Sequence, residues 1–295
     1  MNGKKTVSRR SEFDWLRVIA FGILIFYHTG MLFVAWDWHI KNNELSSALE
    51  WPMFFVSQWR MSLIFLIAGV GVYYALGRRS IQAFVKDRLQ RILLPFITGV
   101  FLLVAPQVYL ERLTQGYDGN YLTFYASFLT FTPHPAGDFS WHHLWFLLYI
   151  LVYCLLMAPL LVGFKKSSFV LPLIGGWLIF ILPVLWFGAG ESFLSPAFPK
   201  TGAFYNDWFS HFIYISTFFI GFLLASSKPL QDQLKACRLI ALLAAVITSI
   251  ALYAMLWKES PGWKSTQSIG YHYLVAAHRW WWIMAIVGFS LRYLH

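Results

Sequence analysis

The chain has 295 residues, of which 58% are hydrophobic, 20% aromatic and only 12% charged. This composition excludes an ordinary soluble domain and is typical of a polytopic membrane protein. A net charge of +10 can indicate a nucleic-acid partner. The basic residues, however, lie in short loops between apolar runs rather than on one extended face, so no nucleic-acid partner is expected.

The apolar runs predict an all-α bundle that crosses the membrane eight times. A basic tail, residues 1–12, precedes a single membrane domain, residues 13–295, with no soluble domain attached. Spans of about 20 residues suit a hydrocarbon core ~30 Å thick. They are expected near residues 13–36, 51–76, 92–110, 143–162, 169–188, 208–226, 238–257 and 271–291.

The lysines and arginines predict how these spans are oriented. If the N-terminus is cytoplasmic, most basic residues fall on the cytoplasmic side, and Arg60 and Arg279 fall within spans. The basic residues that remain outside are Lys41, Arg112, Lys200, Lys258 and Lys264. Cytoplasmic loops of membrane proteins carry an excess of lysine and arginine, so a cytoplasmic N-terminus is expected.

The first span carries two ionisable side chains, Arg17 and His28. They are eleven residues apart, which is about three helical turns and ~16 Å of rise, so they share one face at different depths. Ionisable groups inside a membrane are costly and commonly mark a functional site. The alternative is that His28 packs between helices and hydrogen-bonds a neighbour.

Arg60, in the second span, lies ~13 Å below the outer end of its helix at 1.5 Å per residue. His28 is expected at a comparable depth in a core ~30 Å thick. Two costly groups at one depth on sequential helices predict a shared polar cavity. The alternative is that the Arg60 side chain extends outward to the interface.

Arg88 and Arg91 are neighbours on one helical face because they are three residues apart. Their segment, residues 80–91, is expected to form an amphipathic helix lying on the cytoplasmic surface. Guanidinium groups bind phosphate oxygens in a bidentate geometry, which predicts a phosphate site. The alternative is that these basic residues only determine the membrane topology.

The outer segment 111–142 is the longest connection, and its aromatic composition predicts that it caps a site. His142 and His143 follow at the mouth of the fourth span, where Trp145 fits an interfacial position. Successive residues point in different directions, so one histidine can face the outer cavity. A zinc site is conceivable, but the spacing suggests no third ligand, and no metal is expected.

Four motifs in this order resemble the acyltransferase-3 family of bacterial integral-membrane acyltransferases. They are Arg17 with ten residues before His28, Trp59-Arg60-Met61 leading into Phe65-Leu-Ile-Ala-Gly69, Arg88-Leu-Gln-Arg91 with Pro95, and His143-Leu-Trp145-Phe146-Leu-Leu. The resemblance covers most of residues 11–160 and weakens afterwards. The subset that the chain most resembles includes a succinyltransferase of periplasmic glucans.

The resemblance implies transfer of an acyl group from cytosolic acyl-CoA, as co-substrate and without a bound cofactor, to a hydroxyl of an extracytoplasmic carbohydrate. It also implies an essential His28 and a donor site near Arg88 and Arg91. A neutral imidazole suits a general base, and Arg60 suits the stabilisation of an oxyanion. Direct transfer of the acyl group, without an acyl-enzyme, is favoured because no serine or cysteine adjoins His28 in sequence. A transient acyl-histidine is the alternative.

With the family included, His28, Arg60 and Arg17 are expected to line one continuous polar path. It would open inside near Arg88 and outside near His143 and Trp145, the acceptor side. The family implies about ten spans, so a chain with eight is expected to be incomplete at its C-terminus. A transporter or flippase for a glycoconjugate and a non-catalytic membrane scaffold are the alternative functions. The expected location is the bilayer of the bacterial inner membrane.

Overall fold

The computed structural model describes residues 11–77, 79–166, 177–258 and 269–294. The predictions for residues 1–10 of the tail, for the start of span 169–188 and for Lys264 lie outside these ranges. The described residues form helices and no extended strand, so the predicted all-α class is confirmed. The helices are α1 Ser11–Gly30, α2 Ser47–Leu76, α3 Ile81–Thr114, α4 Tyr121–Phe128, α5 Trp145–Lys166, α6 Leu178–Phe193, α7 Trp208–Ser226, α8 Lys228–Lys258 and α9 Ile269–Tyr293.

Six of these helices, α2, α3, α5, α7, α8 and α9, are long and apolar enough to cross a membrane. Helix α6 is apolar but has only 16 residues, and α1 has 20 residues that include Asp14, Arg17 and His28. These eight helices are the counterparts of the eight predicted spans, and α4 lies in the predicted outer segment. The protein is a multi-pass membrane protein with an all-α bundle.

Helix α3 begins earlier than predicted. The Ser80 hydroxyl accepts a hydrogen bond from the Ala83 N–H at 3.2 Å, and the helix then continues to Thr114. The basic segment 80–91 is therefore the first part of this long helix rather than a separate surface helix. Two π-helical turns, Leu89–Leu93 and Val100–Val104, precede Pro95 and Pro106. A widened turn accommodates a proline, which has no N–H to donate to the preceding turn.

Helix α2 lies at the centre of the bundle and packs closely against α7. A Cβ atom at Gly69 would collide with the Phe218 carbonyl oxygen, and one at Gly221 would collide with the Leu66 carbonyl oxygen. Only glycine permits two helix backbones to approach this closely. The close helix contact draws α2 and α7 into one core that also buries one face of α1.

The basic side chains of the described residues separate between the two ends of the bundle. The Ser290 hydroxyl donates to the Glu12 carbonyl oxygen at 2.8 Å, so the end of α9 lies beside the start of α1. The Arg17 end, as we call it, also carries Arg79, Lys86, Arg88, Arg91, Lys228, Lys235, Arg238 and Arg292. The opposite end, the His28 end, carries Lys41, Arg112 and Lys200. This separation follows the predicted pattern, and the cytoplasmic orientation of the Arg17 end stays a prediction.

Candidate active site with two cavities

Two cavities, each with charged side chains in a mostly apolar wall, open at opposite ends of the bundle. The Arg17 cavity has a volume of about 530 Å³ and is lined by residues of α1, α2, α3 and α5. The His28 cavity, of about 680 Å³, is lined by the end of α1, by Arg60 near the middle of α2, by the start of α5 and by the loops around them. Both volumes are in the range of small-molecule sites.

The prediction of one continuous polar path is wrong in this structure, because the two cavities share no lining residue. Arg17 lies in the cavity with Arg88 and Arg91, whereas His28 lies in the other cavity. On α1 the buried Leu24 is three residues from Phe21, which lines the Arg17 cavity, and three from Tyr27, which lines the His28 cavity. Apolar packing therefore separates Arg17 from His28 along their common helix.

His28 lies in the last turn of α1, between two aromatic neighbours. Its ring centroid is 5.5 Å from that of Trp38 and 5.5 Å from that of His143. Among the described residues, none hydrogen-bonds to the His28 ring, so its nitrogens are free to meet a ligand in the cavity. The alternative that His28 only hydrogen-bonds a neighbouring helix has no support in these contacts.

Arg60 lines the same cavity as His28, as their depths predicted. Its guanidinium carbon lies 3.3 Å from the centre of the Tyr27 ring, which is a close cation–π contact. This contact holds the guanidinium charge inside the cavity. The Arg60 side chain therefore does not extend outward to the interface, which was the alternative. The Nε atom of Arg60 is buried and has no hydrogen-bond partner in the described part of the chain.

The segment that follows α3 closes over the His28 cavity, as predicted for the outer connection. We call residues 115–142 the cap; it contains α4 and contributes to the cavity wall with Phe131, Pro133, His134, Phe139, Ser140, Trp141 and His142. The Trp141 indole N–H donates to the Gly202 carbonyl oxygen at 2.9 Å. Residues 201–203 and Tyr205 also line the cavity, which no sequence motif indicated.

The two adjacent histidines point in different directions, as their succession predicted. His143 faces His28, and Trp145 lines the same cavity. His142 instead lies against His39, with ring centroids 3.7 Å apart, beside the buried carboxylate of Glu111. Burial lowers the pKa of His39 below its usual value, although Glu111 opposes that shift. No sequence motif indicated Glu111, although an acid in a long apolar helix is itself a signal.

The Arg17 cavity is rich in guanidinium groups: one carboxylate pairs with three of them, and Asp14 pairs with Arg17. Asp87 accepts from Arg91 Nε at 2.7 Å, lies 3.3 Å from Arg88, and also pairs with Arg79. The Arg88 side chain is 20% exposed and that of Arg91 is 71% exposed. Four arginines and two aspartates line this cavity, which is therefore positively charged and suited to anionic groups.

Arg279, the second cation inside a predicted span, takes part in a buried ion pair rather than in either cavity. Its guanidinium pairs with Glu191 and donates from Nε to the Gln58 carbonyl oxygen at 3.0 Å. The contact joins α9 to α6 and α2. A buried charge with its partner in place is a structural element whose loss is costly.

Fold and cavities thus define a multi-pass membrane protein with a basic cavity at one end and a histidine-lined cavity at the other. Residues 10–294 match the family model described as an acyltransferase domain. The chain belongs to the acyltransferase-3 family. The match extends well beyond residues 11–160, which carry the motifs.

Curated relatives share part of their length with this chain. Glucans biosynthesis protein C of Shigella dysenteriae is 28% identical over 142 residues, 47% of this chain and 34% of that protein. Its namesake in Escherichia coli K12 is 26% identical over 140 residues, with the same shares. The Salmonella paratyphi B protein of that name is 24% identical over 234 residues, 75% of this chain and 58% of that protein. The chain thus covers between about a third and three fifths of these relatives. No solved structure matches the chain.

Proposed function

We propose that this protein transfers an acyl group from acyl-CoA to a hydroxyl of a carbohydrate, across the bacterial inner membrane. Family membership supports acyl transfer, and the name of the relatives points to a glucan as acceptor. The observation that carries the proposal is the pair of cavities. An arginine-rich cavity suits the phosphates of the donor, and a cavity with an accessible imidazole suits the acceptor.

In the His28 cavity the imidazole acts as general base toward the acceptor hydroxyl. The hydroxyl oxygen attacks the thioester carbonyl carbon, the carbon–sulfur bond breaks, and the CoA thiolate leaves and takes up a proton. The ester oxygen of the product comes from the carbohydrate. Arg60, fixed over Tyr27, supplies a permanent positive charge for the oxyanion that forms during attack.

In the Arg17 cavity Arg88 and Arg91 bind the donor phosphates, and Arg17 adds positive charge on the facing helix. This end faces the cytoplasm, where acyl-CoA is made, and the N-terminus lies on the same side. Because the cavities share no lining residue, the acyl thioester reaches His28 only when side chains between them move. Leu24 is one of these side chains, so a bulkier residue there should slow transfer more than it weakens donor binding.

The acceptor side is broad and aromatic. Trp38, Trp141, Trp145 and Tyr205 line the His28 cavity together with polar groups of Asp37 and Thr201. Mostly apolar walls with a few polar groups are the usual form of a small-molecule site. Aromatic rings pack against the C–H faces of sugars while the polar groups meet their hydroxyls. Trp145 therefore serves the acceptor, and the His143 ring lies 5.5 Å from that of His28.

The test is acyl transfer by the purified protein in detergent or in vesicles, with a radiolabelled short-chain acyl-CoA and a linear oligoglucan. Mass spectrometry identifies the ester on the glucan. His28→Ala should abolish transfer because a proton acceptor is lost. The variant should stay folded because little core volume is removed. His272→Ala is the matched control, since His272 lies at the same end of the bundle and lines neither cavity.

Transfer that persists in the His28→Ala protein would overturn the role of this residue. If the wild-type protein moves the unmodified glycoconjugate across vesicles without forming an ester, the transporter alternative is supported instead. If it does neither while it still binds acyl-CoA, the proposal of catalysis fails. Size-exclusion profiles of each variant establish that the folded protein is compared.

A further inference from the structure

Three histidines in the wall of the His28 cavity, other than His28 and His143, converge on one buried carboxylate, that of Glu111. His39 comes from the loop after α1, Glu111 from the last turn of α3, and His134 and His142 from the cap. The ligand atoms of His39, Glu111 and His142 all lie within 4.8 Å of one another. Three separate segments of the chain therefore meet at one carboxylate.

The distances fit a small tetrahedral metal ion. His39 Nδ1 lies 3.1 Å from Glu111 Oε2, and His142 Nε2 lies 3.7 Å from the same oxygen. Zinc binds imidazole nitrogen and carboxylate oxygen at about 2.0–2.2 Å, which places the corners of its tetrahedron roughly 3.4 Å apart. The separations in the cluster bracket that value. An ion at the centre would need only small side-chain movements.

Burial makes this arrangement difficult to explain without a cation. The side chain of His142 is 4% exposed and that of Glu111 is 9% exposed. The Nε2 atoms of His142 and His134 are both buried, and neither forms a hydrogen bond within the described part of the chain. Each faces Glu111, at 3.7 Å and 3.4 Å, beyond the usual hydrogen-bond length. Buried polar atoms usually have partners, so two at one carboxylate point to a ligand.

Ser140 favours the tautomer of His142 that binds a metal ion. Ser140 Oγ lies 3.2 Å from His142 Nδ1 and also accepts the His142 backbone N–H at 3.0 Å. With the proton on Nδ1, the ring donates to Ser140 and its Nε2 lone pair faces Glu111. An outer hydrogen bond that fixes tautomer and ring direction is the usual second layer of a metal site.

We propose that His39, Glu111 and His142 bind a zinc ion, with His134 nearest to the fourth ligand position. Imidazole nitrogens favour zinc over magnesium or calcium, which prefer oxygen ligands. The ion joins the loop after α1, the end of α3 and the cap, so its role is structural: it holds the cap over the acceptor cavity. This role goes beyond acyl transfer and does not depend on it.

The experiment uses the full chain purified without a histidine tag, with Zn²⁺ itself as the probe. Metal content is measured by inductively coupled plasma mass spectrometry, and affinity by competition with a chelating dye. We expect one tightly held zinc ion per chain. Glu111→Gln keeps the side-chain shape and should lose the ion, while His272→Ala should retain it. Ser140→Ala should weaken zinc binding about 10–100-fold, as outer-layer changes do.

Two further readouts separate zinc binding from a failure to fold. Co²⁺ in place of zinc should give the visible absorption of a tetrahedral site in the wild-type protein and not in Glu111→Gln. A chelator should lower the Tm of the wild-type protein and leave that of Glu111→Gln unchanged. The proposal is overturned if the wild type holds no more zinc than a His39→Ala/His142→Ala double variant of normal size-exclusion profile. It is equally overturned if the cobalt spectrum is that of the aqueous ion, which would mean that the cluster shares protons instead.

Discussion

Replacing Arg88 and Arg91 by glutamine tests the donor site, and the two residues should contribute unequally. The Arg88 side chain is 20% exposed, so a charge-assisted contact with a phosphate is worth about 1.5–3 kcal/mol. The Arg91 side chain is 71% exposed, and water screens it, so its contact is worth about 0.2–1 kcal/mol. Since 1.4 kcal/mol is tenfold, Arg88→Gln should raise the apparent KM for acyl-CoA about tenfold or more, and Arg91→Gln by less than about sixfold.

The assay is the initial rate of acyl-CoA consumption at a saturating glucan concentration, with the double variant expected to lose at least tenfold in apparent donor affinity. Arg292→Gln is the matched control, because Arg292 is an exposed arginine at the same end of the bundle and does not line the Arg17 cavity. Equal effects at both positions would contradict the argument from exposure. If the double variant has an unchanged KM for acyl-CoA but altered membrane insertion, Arg88 and Arg91 only determine the membrane topology.

Three other outcomes follow from the structure. Gly69→Ala should destabilise the protein by about 1–3 kcal/mol through overpacking at the contact of α2 with α7. Gly22→Ala should not destabilise it, because a Cβ atom there meets nothing within 4 Å. Thermal unfolding in detergent measures both effects. Cysteines introduced into the 111–142 segment should react with an impermeant reagent from outside intact cells, and labelling only from the cytoplasm would refute the orientation. Leu24→Trp should lower kcat for acyl transfer with little change in the KM for acyl-CoA, and a rise in KM alone would show that Leu24 does not lie on the path of the acyl chain.

The apolar runs of the chain were sufficient to predict its fold class and most of its spans. Hydrophobic length is a local property, and in a membrane each span must satisfy its own backbone, so helices follow from the runs alone. Span 208–226 was predicted with the bounds of α7. The charges of residues 80–91 interrupt the apolar pattern and therefore predict a separate surface helix. In the structure this segment is instead the first part of α3.

Depth along a helix was also predictable. A rise of 1.5 Å per residue placed His28 and Arg60 at one level, and both line one cavity. The direction of each side chain around the bundle was not predictable in this way. Arg17 and His28 share a helix and an approximate face, yet apolar packing assigns them to different cavities. Periodicity indicates which residues share a face, and the neighbouring helices decide what that face contacts.

The cluster of His39, Glu111, His134 and His142 shows what only the tertiary structure decided. The sequence presents these residues as isolated polar positions on a loop, a helix end and a cap, with no ligand spacing among them. They meet because α1 and α3 end at the same side of the bundle and the cap folds back between them. Local patterns encode helices, whereas contacts between distant segments depend on how those helices pack, and the candidate metal site therefore emerges only from the assembled bundle.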